Sequence, residues 1–207
     1  MNSGQSMDLE MPLLAATYTL VSTSLPQWRA GFDMAGLTVQ EMRLSRIAEQ
    51  AAILVKKLHP EAIFTSGKRD IMDQARVMAQ NAIRYGSAWL DSTYRDKRIV
   101  KCLMTHMEEN PEQCSDPKVL AHAFYAQLQE NFVGDLVKFP HVRGDAFDIA
   151  WPRLGNGLID RTAGELICKT IERLPMDADI PLDLLLRKEG KLDVIHAQFK
   201  SLPTVQI

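Results

Sequence analysis

The sequence is short of the features that would tie a chain to a membrane, to nucleic acid or to an oxidising compartment. Cysteine occurs three times in 207 residues, at Cys102, Cys114 and Cys168. That is too few and too scattered for a disulfide framework, and no two lie at zinc-finger spacing, so all three read as reduced thiols. Long apolar runs are missing: nothing approaches the roughly 18 consecutive residues of a membrane-spanning helix. Charge of one sign is missing too, with 24 Lys and Arg against 26 Asp and Glu and a net charge of −2. Without a basic block there is no electrostatic footprint for nucleic acid. Pro12–Val21 is the best secretion-like stretch, but Asp8 and Glu10 precede it and the first basic residue is Arg29. A signal peptide needs a positive flank, so the expectation is a chain made in the cytoplasm without one.

What is present is enough to fold. Apolar residues make up 46% and charged residues 24% of the chain, which suffices for one core-bearing domain. Residues 1–37 are irregular in pattern and read as an N-terminal arm or extension. Thr38 with Glu41 forms a capping box, followed at helical spacing by Leu44, Ile47, Ala48, Ala51, Leu54, Val55 and Leu58. His59-Pro60 stops that helix, and Ala62–Thr65 reads as a short strand ending in the turn Ser66-Gly67. Three helices are expected next: Asp70 to Tyr85 closing at Gly86, about Arg95 to Glu109, and one opening at Asp116-Pro117. The last of these carries Val119, Leu120, Ala123, Phe124, Gln127 and Leu128 on its stripe. Ala146–Trp151 alternates as a half-buried strand, and Thr162 with Glu165 caps a further helix to about Leu174. Leu182–Arg187 and Leu192–Phe199 form a hairpin across Lys188-Glu189-Gly190-Lys191. Helices on a small antiparallel sheet make the fold class α+β.

Histidine is scarce, which narrows the chemistry. Of five, His59, His106 and His122 lack a metal-ligand pattern and read as surface or structural residues. His141 precedes Gly144 by three, and the chain then enters the strand on which Ala146, Asp148 and Ala150 share a face. A carboxylate between two alanines has room around it and suits a metal ligand near His141; a capped turn with an exposed strand aspartate fits equally well. Asp193 precedes His196 by three, supplying a further imidazole and a carboxylate base. Two histidines and one carboxylate give zinc three protein ligands and leave one position for water. Upstream, Thr65-Ser66-Gly67-Lys68-Arg69 places a guanidinium at a strand end, either to hold an oxyanion or carboxylate or simply as a surface arginine opening a helix.

Taken together these pieces resemble the M15 family of zinc peptidases, which includes D-alanyl-D-alanine carboxypeptidases and the L-alanyl-D-glutamate endopeptidases of phage endolysins. Ser66, Gly67, Arg69 and Gln74 match its S-G-x-R element with a glutamine five residues on. His141, Gly144, Ala146 and Asp148 match H-x-x-G-x-A-x-D, and Asp193 with His196 match the closing acid and histidine. The resemblance implies that His141, Asp148 and His196 bind Zn2+ and that Asp193 is the catalytic base. It further implies that Arg69 stabilises the oxyanion or substrate, with Gln74 and Ser66 on the substrate side. An aspartate at the base position is more similar to the phage-type endopeptidases. Three departures stand out: Phe139 where the family often has serine, Val194-Ile195 before the last histidine, and 72 positions between Arg69 and His141. The helical segment of about 86–134 accordingly reads as an insertion within a 38–207 peptidase domain.

The implied function is metal-dependent hydrolysis of peptidoglycan stem peptides or cross-links, with bacterial cell wall as substrate and phage virion proteins as further partners. Action would follow release from the cytoplasm, or occur as part of a virion. The competing expectation is a structural or assembly component of a phage particle that keeps the fold with weak or no catalysis.

Overall fold

The computed structural model describes residues 36–188 and 192–200. The expected N-terminal arm lies outside the described residues except for Gly36 and Leu37, as does the glycine of the expected hairpin turn. Leu37 forms an isolated bridge with Phe64 and so belongs to the folded domain.

The capping box forms but caps a turn rather than the helix. Glu41 accepts from the Thr38 backbone N–H at 2.7 Å, and the Glu41 N–H donates to the Thr38 hydroxyl at 3.2 Å. The chain then passes through Arg43 at φ 49°, and helix α1 (Arg46–Leu58) starts after Ser45. It buries Ala48, Ala51, Ala52 and Val55, and it ends before His59 as expected, leaving Leu58 exposed. Strand β1 (Ile63–Ser66) follows. Helix α2 (Ile71–Tyr85) is capped by Asp70, whose carboxylate accepts from the Asp73 N–H at 2.7 Å, and stops at Gly86 with φ 88°. A short helix, α3 (Ala88–Thr93), was not apparent in the sequence because six residues carry no periodicity. Helices α4 (Lys97–Glu109) and α5 (Pro117–Phe132) begin at the aspartate caps Asp96 and Asp116. The α5 stripe is Leu120, Ala121, Phe124 and Leu128, with Val119 exposed.

A one-turn helix, α6 (Pro140–Arg143), leads through Gly144 into β2 (Ala146–Ala150). Helix α7 (Arg161–Asp177) takes Asp160 as its cap, two residues earlier than the expected Thr162 box, and carries Pro175 in its last turn. Strands β3 (Leu182–Leu186) and β4 (Val194–Phe199) complete an antiparallel sheet of order β1-β2-β4-β3. The fold is α+β.

Two apolar clusters result. One lies between the sheet and helices α1 and α7, built on Phe64, Phe147, Ile149, Ile171, Ile195 and Phe199. The other joins α2 to α5 through Met78, Leu90, Leu103, Leu120, Phe124 and Leu128, and reaches Phe139. Gly164 of α7 lies directly beneath Trp151: a Cβ there would sit 2.1 Å from the indole ring, whose Nε1 is fixed by donating to the Arg187 carbonyl at 2.8 Å. Gly164→Ala gains about 1 kcal/mol of helix propensity. Displacing the ring costs about 1–3 kcal/mol, so the urea midpoint is expected to fall. A midpoint equal to or above that of the native chain would show that the indole is free to move.

Candidate metal centre

The sheet register assembles the site. Ser66 lies opposite Asp148, Asp148 opposite His196, and His196 opposite Leu186, giving one row across all four strands. Directly opposed residues share a face, so Asp148 and His196 project together away from the core that takes Phe147, Ile149 and Ile195. The step between Phe64 and Ser66 is irregular in register, which turns Ser66 onto the Asp148 face. Flanking Asp148 on that face are only Ala146 and Ala150. The aspartate is nevertheless buried, at 3% exposure, which removes the reading of it as an exposed strand residue.

His141 arrives from a separate element. Helix α6 lasts one turn because Gly144 adopts a left-handed conformation, φ 82°, that returns the chain to β2. Its carbonyl accepts from the Ser45 N–H at 2.9 Å. The turn after β1 is cross-bonded to the same helix: the Arg69 N–H donates to the His141 carbonyl at 2.9 Å, and His141 Nδ1 donates to the Gly67 carbonyl at 2.8 Å. A carbonyl only accepts, so the Nδ1 atom carries the proton and Nε2 presents a lone pair. That Nε2 is buried with no hydrogen-bond partner.

The electrostatics favour a cation between these groups. Burial, and then the Arg69 guanidinium, push His141 below its ordinary value, which keeps the imidazole neutral. Burial works to raise the Asp148 carboxyl, but the hydrogen bond it accepts from the His196 ring helps to hold it well below the usual carboxylate range. His196 Nδ1 donates to Asp148 Oδ1 at 2.8 Å, and Arg69 Nη2 donates to Oδ2 at 2.9 Å. The bare Nε2 of His141 stands 3.4 Å from that same Oδ2. Two lone-pair-bearing atoms facing each other at this distance repel, and a positive ion held by both converts the repulsion to attraction. The ligand atoms of His141, Asp148 and His196 lie within 4.8 Å of one another, all three residues being buried. The triad can hold a metal ion, and its donor set of two imidazoles and one carboxylate fits a divalent ion with an open coordination position.

A cavity of about 180 Å³ opens beside the triad, lined by Arg69, Gln74, His141 and His196, by Tyr94 and Arg95 from the helical segment, and by Phe139 before α6. Arg69 Nη1 donates to Gln74 Oε1 at 3.4 Å, and Gln74 Nε2 donates to the Tyr94 hydroxyl at 3.1 Å. Gln74 is itself buried. The structure therefore brings together five of the seven residues singled out in the sequence: Arg69, Gln74, His141, Asp148 and His196. Ser66 joins the row on the sheet but does not line the cavity. Asp193 does not enter the group: it is exposed, one residue before β4, and is not among the lining residues. Several lining residues were missed, among them Gln198, Tyr94 and Arg95. Gln198 follows His196 by two and shares its face by strand alternation, a signal the sequence did carry. Tyr94 sits in an aperiodic link whose position only the tertiary fold defines.

Comparison of the chain with protein-family models, with curated proteins and with solved structures returns no match. No helix among the described residues is long and apolar enough to cross a membrane.

Proposed function

We propose that this chain is a zinc-dependent peptidase that hydrolyses peptide bonds of bacterial peptidoglycan, in stem peptides or cross-links, in a phage-associated setting. The observation that carries this reading is the buried His141 Nε2 lone pair aimed at Asp148 beside His196, with Arg69 and a cavity alongside. His141, Asp148 and His196 would hold the ion. Bound there, a zinc ion would supply Lewis acidity, to polarise a carbonyl and to bring the pKa of water down to about 7. The chain's own groups supply the rest. The Gly67 carbonyl fixes the His141 tautomer, an outer partner of the kind that orients metal-binding imidazoles. Arg69, tied to Asp148 and Gln74, is the cation placed to meet negative charge developing on a bound carbonyl oxygen. Asp193 is assigned as proton acceptor on its spacing from His196.

One observation favours the second reading, an assembly component with weak or no hydrolysis: Asp193 stands outside the cavity. Zinc content and cleavage, measured on the native chain and on one variant, separate the two. Asp193→Ala is expected to retain about one zinc per chain and to lose cleavage of purified peptidoglycan by about a hundredfold or more, the range of a general base. Cleavage at the native rate would remove Asp193 from the mechanism. Zinc without cleavage in the native chain would favour the assembly component.

A further inference from the structure

We infer that Arg95, carried by the link between α3 and α4, is the anchor for a carboxylate on the peptide that occupies the cavity; this rests on the peptidase reading and assigns the specificity of its site. Three cations line the cavity, and two are occupied. Arg69 is held by Asp148, and Lys138 is ion-paired with Asp135. The lining acids are occupied too. Asp96 accepts from the backbone N–H groups of Arg98 and Ile99 and pairs with the Arg98 guanidinium at 3.1 Å. Asp135 takes the same guanidinium at 2.9 Å as well as Lys138. Arg95 is exposed at the cavity and makes no side-chain hydrogen bond or ion pair with any described residue. Among the described residues it is the one lining cation left without a counter-charge.

Its backbone is nonetheless firmly placed. On one side the Tyr94 N–H donates to the Leu90 carbonyl at 3.0 Å, and its hydroxyl accepts from Gln74. The Tyr94 ring packs edge-on against Trp89 at 5.7 Å and Phe139 at 5.8 Å. On the other side Asp96 caps α4. A three-residue link clamped at both ends, with a guanidinium unpaired among the described residues at a metal-site cavity, is the arrangement that reads a planar anion through paired N–H donors. Peptidoglycan stems supply that anion as the carboxylate of a D-glutamyl residue, which many walls block as the amide.

The test uses the full chain loaded with zinc and two probes, L-alanyl-γ-D-glutamyl-L-lysine and its α-amide. Binding is followed by calorimetry for the native chain, Arg95→Gln and Arg95→Lys. The native chain is expected to bind the acid about tenfold more tightly than the amide, the scale of a charge-assisted hydrogen-bond pair at a partly exposed site. Arg95→Gln should equalise the two by weakening the acid alone, and Arg95→Lys should restore only part of the preference. Equal binding by the native chain, binding of neither probe, or a preference that survives Arg95→Gln overturns the assignment. Digestion of whole peptidoglycan is scored separately. Retained digestion without the preference refutes Arg95 alone, whereas a retained preference without digestion refutes the peptidase reading and leaves the carboxylate anchor standing.

Discussion

His141→Ala is expected to weaken zinc binding by more than a hundredfold and to abolish peptide hydrolysis, with the circular dichroism spectrum unchanged. Loss of an outer partner of a metal ligand typically costs about 10–100-fold in affinity, so loss of a ligand itself should exceed that range. The fold should survive because the His141 ring belongs to neither apolar cluster and its cavity side is open. Removing the ring also removes the repulsion between Nε2 and Asp148 Oδ2 in the metal-free chain, while leaving Asp148 its bonds to Arg69 and His196. His196→Ala should behave alike for metal. As controls, His59→Ala and His106→Ala should bind zinc as the native chain does, since those rings bond to Thr170 and Gln113 away from the triad. Affinity is read by competition with a chromophoric chelator. A His141→Ala protein that holds zinc at native affinity would remove the triad from the account.

Gly67→Ala should strike stability and metal binding together. A Cβ at this position would lie 2.4 Å from Met42 Cβ and 2.6 Å from the Met42 carbonyl oxygen. Much of that obstruction is backbone, and the Met42 carbonyl is already bonded to the Lys68 N–H at 2.8 Å, so it cannot step aside cheaply. The turn must move instead, and it carries the carbonyl that sets the His141 tautomer and the N–H that binds the His141 carbonyl. Overpacking of this kind costs about 1–3 kcal/mol and at times more. Zinc affinity should fall about 10–100-fold, as for other outer partners. The variant is therefore expected to show a lower unfolding midpoint without metal, and a smaller upward shift of that midpoint on adding zinc. A native-like zinc shift would show that the Gly67 carbonyl does not orient the ligand.

Local rules carried the sequence a long way here. The aspartates Asp70 and Asp116 each start a helix, Gly86 and His59 each end one, and strand alternation put Asp148 on the face opposite the core. Each of these is settled by neighbours within a few residues. Readings failed where a distant segment decides. The Thr38 box forms its bonds, yet α1 starts later because the Ser45 N–H is taken by the Gly144 carbonyl across the fold. Leu58 and Val119 fit their stripes and are exposed because no described element packs over them. At the site, the family resemblance picked out the three residues that converge. It could not reveal that Tyr94, Arg95 and Phe139 line the same cavity, because that depends on how α3 packs against α2 and α4 against α3. Nor does a three-residue spacing fix where Asp193 points: a strand alternates its faces, and the aspartate precedes β4.

The most direct measurement is mass spectrometry of peptides released from purified peptidoglycan by the zinc-loaded chain, with and without a chelator. The account predicts released fragments whose masses correspond to hydrolysis of one kind of amide bond, lost with chelator and recovered on returning zinc. Intact walls in the presence of folded, zinc-bound protein, or release that proceeds equally with chelator, would contradict it.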